Sequence, residues 1–359
     1  MLDLTFLYYL LTFLISTMMT LIIINHLHPK LDFYTRNPIG PQKIHEGNTS
    51  RLGGVSIFFT IVVISILLYS LDIQNTYITP YHFLILLPIF ILGFWEDITQ
   101  SVSPNIRLLG SFLSTVLLLL NFELLINDLG IREINDLLNF YYISFVFTTL
   151  CVIYLIQSFN IIDGLNGLCL LTSIIVFVSV SIIAFKLNDF DTLYFTVFFI
   201  SILLGVLVFN FPFGKIFIGD SGAYIIGLLV SLSVLTLYKN NSQLSPYVIA
   251  QVLIYPSYEL LRSYLRRLFT KSSRVFRPDT LHLHSILYKL NRANFSYNSQ
   301  TINSITSSKI VCFQIINAYY LTLFYDNEKI IVFGIIVFVI IYEIFYYSIS
   351  KTLKKLNIF

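Results

Sequence analysis

Eleven apolar stretches dominate the chain, near residues 4–25, 52–71, 81–95, 106–126, 140–159, 165–186, 193–210, 217–237, 246–265, 309–325 and 329–350. A helix needs about 20 apolar residues to cross a hydrocarbon layer about 30 Å thick, and most of these stretches have them. The third and tenth are short, and Pro256 interrupts the ninth. Composition excludes a soluble reading. Hydrophobic residues make up 56% of the chain and charged ones only 11%, where an ordinary soluble domain carries about 25% charged residues. The expectation is an all-α membrane protein of about eleven transmembrane helices, a single domain over residues 1–359. The first stretch is too long for a cleaved signal peptide and has no basic residues before it. The three cysteines, Cys151, Cys169 and Cys312, fall in or beside apolar runs without pairing or metal spacing, and read as packing residues.

A net charge of +3 points away from nucleic acid, so the position of each charge matters more than the sum. Lys and Arg are retained on the cytoplasmic side of a membrane. With the N-terminus outside and the C-terminus inside, eighteen of the 22 basic residues fall on the inner side. Only Arg132, Lys186, Lys239 and Lys329 fall outside. The bulky polar segments, 26–51, 96–107 and 266–308, then all lie inside, and the last is the expected large cytoplasmic loop.

Acids at the ends of membrane helices are costly and mark function by default. Glu96 and Asp97 close the third stretch in GFWEDITQ, Asp163 follows the fifth in FNIIDGLNGL, and Asp220 opens the eighth in GKIFIGDSGAY. This topology puts all four on the inner side. Carboxylates gathered at one face repel unless a cation joins them, and oxygen ligands suit Mg²⁺, which binds one or two carboxylates plus substrate phosphates. Gly164 and Gly167, like Gly219 and Gly222, bracket turns that open helices. Such turns let backbone N–H groups approach a phosphate, with Asn166 or Ser221 adding a hydrogen bond. Gly227 reads instead as a helix-packing glycine.

The segment 274–292, RVFRPDTLHLHSILYKLNR, brings Arg277, Asp279, His282 and His284 together, a set suited to gripping a diphosphate or sugar. Zinc is disfavoured there, because no Cys or third His lies close. His45 and Arg51, beside Gly53 and Gly54, form a second cationic edge. Arg262, Arg266 and Arg267 read equally well as reaching substrate or as anchors to anionic lipid.

In this order the motifs resemble the polyprenyl-phosphate N-acetylhexosamine-1-phosphate transferases of glycosyltransferase family 4. The resemblance runs from RLGG at 51–54 through Glu96–Asp97, NIIDGLNGL at 160–168 and NFPFGKIFIGDSG at 210–222 to HLHS at 282–285. It implies transfer of an N-acetylhexosamine-1-phosphate from a UDP-sugar to undecaprenyl phosphate in the bacterial inner membrane, with release of UMP and an active site on the cytoplasmic face. It also implies Mg²⁺, with Mn²⁺ as an alternative, held by Asp220 and Asp163. Asp97 would orient or deprotonate the lipid phosphate beside Glu96. Asn160, Asn166, Lys215, Ser221, Arg277, Asp279, His282 and His284, with His45 and Arg51, would bind substrate. Partners are then the UDP-sugar, polyprenyl phosphate and membrane lipid, with a homodimer left open.

Three positions depart from the family pattern. Glu96 stands where Asp is usual, Asn166 replaces the second Asp of D-G-x-D-G, and Ser285 replaces a third His. The last two point to the branch that primes O-antigen and related glycans, away from the one that transfers phospho-MurNAc-pentapeptide. The rival classes fit less well. A transporter or flippase gathers its acids near the midplane and shows paired halves, and a scaffold needs no glycine-bracketed acids.

Overall fold

The structure, a computed structural model, describes residues 2–27, 49–71, 82–269 and 281–358. Described residues form fourteen α-helices: α1 (Leu2–Ile22, continued by a π-helical turn Ile23–Leu27), α2 (Gly53–Ser70), α3 (Phe83–Thr99), α4 (Pro104–Phe122), α5 (Arg132–Leu138), α6 (Tyr141–Ile162), α7 (Leu168–Lys186), α8 (Phe190–Asn210), α9 (Gly219–Asn240), α10 (Pro246–Val252), α11 (Ile254–Phe269), α12 (Leu283–Asn294), α13 (Ser299–Phe324) and α14 (Glu328–Lys355). Several starts follow from local sequence. Ser103 accepts from the Ile106 N–H with Pro104 at the first helical position, and Asn298 and Asn327 cap α13 and α14 through the N–H groups of Thr301 and Ile330.

The protein is an all-α membrane protein. Among the described residues, eight helices are long and apolar enough to cross a bilayer: α1 with its π turn, α2, α4, α6, α7, α8, α9 and α14. The other three expected spans are helical but fall short of that measure for identifiable reasons. α3 has 17 residues. The ninth stretch breaks at Leu253 into α10 and an amphipathic α11. The tenth is only the apolar second half of α13, whose first turns read SQTINSITSSK. The segment 266–308 is correspondingly not one loop, since α12 and the polar start of α13 occupy much of it.

Contacts fix the direction of each helix. One end of the bundle holds Asp97, Arg107 and Asp220 in hydrogen-bonding contact. At the other, Asp128 bonds Tyr238, and Lys186 bonds the Thr322 carbonyl. α1 begins at the second end, where Tyr9 meets the Tyr194 carbonyl, and descends to the first, where Thr20 meets Ser56. α14 also ends at the first, with Tyr346 bonded to the Leu281 carbonyl.

α9 is the axis: every residue from Gly219 to Leu237 is buried. A Cβ on Gly227 would stand 2.6 Å from Ile156 Cα, so α9 and α6 pack backbone to backbone as the sequence led us to expect. Hydroxyls inside the helices are satisfied within their own turns, as with Ser231 to the Gly227 carbonyl and Ser173 to that of Cys169. In contrast, α1, α4 and α14 keep large apolar side chains exposed, among them Phe6, Met18, Leu120, Phe333 and Ile344. These are the surfaces a bilayer would cover.

Candidate active site at one end of the bundle

The site is built on a short backbone pairing. Phe217 N–H donates to the Ser50 carbonyl at 2.7 Å, and the N–H groups of Gly53 and Gly54 donate to Phe217 and Ile218 at 2.8 Å each. This docks the start of α2 on the segment leading into α9 and sets Arg51 beside the first turn of α9. The RLGG stretch is thus a structural join that also carries the Arg51 side chain to Asp220.

Asp97, at the end of α3 and fully buried, reaches the same turn. Its Oδ1 accepts the Asp220 N–H at 2.7 Å, and its Oδ2 accepts the Ser221 N–H at 3.0 Å and the Ser221 hydroxyl at 2.6 Å. A carboxylate from one helix therefore caps another, where orphan N–H groups and the helix dipole favour negative charge. Gly219 makes the approach possible. It sits at φ +69°, and a Cβ there would lie 2.5 Å from Asp97 Oδ1 and 2.2 Å from the Arg51 carbonyl oxygen.

So held, Asp220 presents its carboxylate to two cations and a phenol. Arg51 Nη2 lies 3.3 Å from Oδ1, while Arg107 Nη1 and the Tyr224 hydroxyl both donate to Oδ2. Glu96 Oε1 stands 3.9 Å from the same Arg107, and its Oε2 accepts the Val102 N–H. Asp163 follows α6, in the charge field of Arg51, Asp220 and Asp97. Burial pushes its carboxyl up to about 8, Arg51 opposes the shift, and the two aspartates add to it. It takes no side-chain hydrogen bond among the described residues.

His284 closes the site from α12. A Cβ on Gly164 would stand 2.5 Å from its Nε2, so the imidazole rests on the turn that carries Asp163. The His282 and His284 rings stack, 5.5 Å apart and 2° from parallel. Burial, with His282 adding to it, lowers the His284 pKa to about 4, so the ring is neutral at physiological pH.

Residues 79–238 match the family model for glycosyl transferase family 4. The chain resembles this family over that stretch, which is just under half of its length. It is 27% identical to a probable undecaprenyl-phosphate N-acetylglucosaminyl 1-phosphate transferase of Bacillus subtilis (strain 168), over 68% of this chain and 66% of that protein. The undecaprenyl-phosphate alpha-N-acetylglucosaminyl 1-phosphate transferase of Thermotoga maritima is also 27% identical, over 68% and 70%. A phospho-N-acetylmuramoyl-pentapeptide-transferase of Streptococcus uberis is 27% identical over 76% and 86%. The chain spans about two thirds of the length of the first two relatives.

The fold brings together Arg51, Glu96, Asp97, Asp163, Asp220 and, through the Gly164 contact, His284. Three expectations change on the geometry. The first-turn N–H groups of Asp220 and Ser221 bind Asp97 rather than standing open to a phosphate. The Ser221 hydroxyl is buried and donates to the same carboxylate. Asp97 itself has both oxygens bonded to that turn, where they hold Asp220.

Asn166 is buried, its N–H given to Asn303 Oδ1 and its amide packed on Gly214. Asn160 gives its carbonyl to the Asp163 N–H. Lys215 is exposed and lies 5.6 Å from the centre of the Phe213 ring. His45, Arg277 and Asp279 lie outside the described residues.

Sequence reasoning missed Arg107, Tyr224 and Glu259. Arg107 carried a signal, since it stands one turn into the helix that Ser103 caps, at the same end as the acids. Arg262 is engaged within the fold. Its Nε donates to Glu343 Oε1 at 2.7 Å and its guanidinium stacks on Tyr346, 3.2 Å from the ring centre.

Proposed function

We propose that this protein transfers N-acetylglucosamine-1-phosphate, or a close N-acetylhexosamine analogue, from its UDP-sugar to undecaprenyl phosphate in the bacterial inner membrane, releasing UMP on the cytoplasmic side. One observation carries the reading. At one end of a membrane bundle, four carboxylates, two arginines and a histidine gather at the first turn of α9, and that turn lies within the stretch that matches the family 4 model. The two relatives named above as N-acetylglucosaminyl 1-phosphate transferases support the choice of sugar.

The reaction joins a lipid phosphate oxygen to the β-phosphorus of the nucleotide sugar and breaks the bond to UMP. A phosphate monoester has its second pKa near 6 and is largely dianionic at neutral pH, so the attacking oxygen needs little help from a base. What the protein must supply is position and countercharge. Arg51 and Arg107 supply the countercharge beside Asp220, and His284 offers a neutral imidazole at the Asp163–Gly164 turn. Asp97 keeps Asp220 in place.

The donor set also suits Mg²⁺. Asp163 is half-buried, its carboxylate has no hydrogen bond among the described residues, and Asp220 acts on it electrostatically. Among the described residues no group of three or more His, Cys, Asp or Glu could enclose a metal. Two carboxylates with the remaining positions left to water and phosphate is the pattern Mg²⁺ favours. Asp163 and Asp220 would hold the ion, which when bound neutralises charge on the diphosphate.

Incubation of purified protein with sugar-labelled UDP-GlcNAc and undecaprenyl phosphate tests the reading. Chloroform-soluble label with UMP in equal amount, lost with EDTA and restored by Mg²⁺, is the expected result. Absence of lipid-linked label across a panel of UDP-N-acetylhexosamines would contradict it.

A further inference from the structure

Glu259 on α11 is 2% exposed, and a carboxylate so deeply buried is costly unless it holds something in return. Its Oε2 stands 3.5 Å from His282 Nδ1 and accepts the Leu283 N–H at 3.4 Å. Among the described residues, its Oε1 and His284 Nδ1 have no hydrogen-bond partner, and His282 Nδ1 has only its approach to Oε2. The buried phenols of Tyr255 and Tyr342 lie within its electrostatic reach. The segment it grips is held from the other side too. Tyr346 donates to the Leu281 carbonyl at 2.8 Å, and Arg262 stacks on Tyr346 while bonded to Glu343. Downstream, His282 stacks on His284, and His284 Nε2 lies against Gly164.

We infer that Glu259 is a positioning residue, which orients His282 and, through the ring stack, sets His284 against the turn that carries Asp163. A proton on His282 Nδ1 faces the carboxylate, leaving Nε2 as the acceptor, and the second imidazole inherits the ring plane. That these histidines then face the diphosphate or sugar of the donor rests on the function proposed above. A purely structural residue at this depth would be served as well by an apolar side chain. The carboxylate is explained by the imidazole and backbone N–H it meets.

The test joins a double-mutant cycle to a spectrum. Glu259→Gln is expected to lower kcat about 10- to 100-fold, as loss of an outer partner does at a catalytic or metal-bound histidine, with KM for undecaprenyl phosphate unchanged. Glu259→Gln combined with His282→Ala is expected to be no slower than His282→Ala alone, because the first acts through the second. Losses that multiply in the double variant, or a fully active Glu259→Gln, overturn the inference.

The chain has six histidines, and nitrogen-labelled histidine spectra provide a readout independent of turnover. Glu259→Gln should shift the signals of His282 and His284 and leave the other four in place. Unmoved signals for that pair overturn the inference. Wild-type protein that forms no lipid-linked product would sink the proposed reaction instead, and the spectra then decide Glu259 alone. If Glu259→Gln does not fold, Glu259→Asp, whose shorter arm withdraws from His282, is read in the same way.

Discussion

At Asp97 three donors from α9 converge on one carboxylate that has no exposed surface. Hydrogen bonds to a charged group contribute about 1.5–3 kcal/mol each, and a buried donor left without a partner costs a similar amount. Asp97→Asn turns one acceptor oxygen into an NH₂ group that faces those donors. We expect it to destabilise the protein by about 3 kcal/mol, where Ser221→Ala, which removes one bond, costs about 1.5 kcal/mol. Thermal unfolding of the purified variants compares the two, and an Asp97→Asn protein as stable as wild type contradicts the capping role. His284 gives a pH signature of opposite origin. Burial holds its folded pKa near 4, below the usual 6.5 of a histidine, so between those values the unfolded chain binds a proton that the folded chain refuses. Stability from this group is present above pH 6.5 and lost as the pH falls toward 4, by roughly 3 kcal/mol. His284→Gln should flatten that part of the stability–pH curve, and an unchanged slope would show that the imidazole is not held neutral.

The helices themselves were readable because apolar runs in a lipid setting have few alternatives. What the sequence could not show is how their ends meet. Asp97 and Ser221 are 124 residues apart, and nothing local to either announces the bond. Glu259 was within reach of the same rule that exposed the other acids, since it sits inside an expected apolar span. It was masked by its company: in YELLRSYLRR the charges read as the polar face of an amphipathic helix. The ion pair of Arg262 was hidden too, because its partner Glu343 lies 81 positions away on α14. At this scale the start of α9 is the most demanding join, with α2 and α3 both pressed on it. Gly219→Ala places a methyl where the Arg51 carbonyl and Asp97 already stand, at a φ that disfavours any Cβ. Loss of transfer by more than about 100-fold is expected, in line with a misplacement of about 1 Å at a catalytic site. Activity within a few-fold of wild type would mean that the turn is looser than it looks.

Over the whole molecule, the direction of α1 and α14 puts the start of the chain at one end of the bundle and residue 355 at the other, with the acids at the second. On the proposed topology, which rests on the distribution of Lys and Arg, that second end faces the cytoplasm. In a cysteine-free background, Asp128→Cys should react with a membrane-impermeant maleimide in intact cells. Lys354→Cys should react only after permeabilisation. The reverse pattern would invert the topology and move the site to the wrong face for a nucleotide sugar.

The central claim is narrower than membrane location: the bond broken lies between the two phosphates of the donor. Radiophosphorus at the β position of UDP-GlcNAc follows that atom directly. The account predicts that the label enters the chloroform-soluble lipid product together with the sugar, leaving unlabelled UMP, and that Asp220→Asn abolishes the transfer. Label recovered in UDP while the sugar alone reaches the lipid would contradict it.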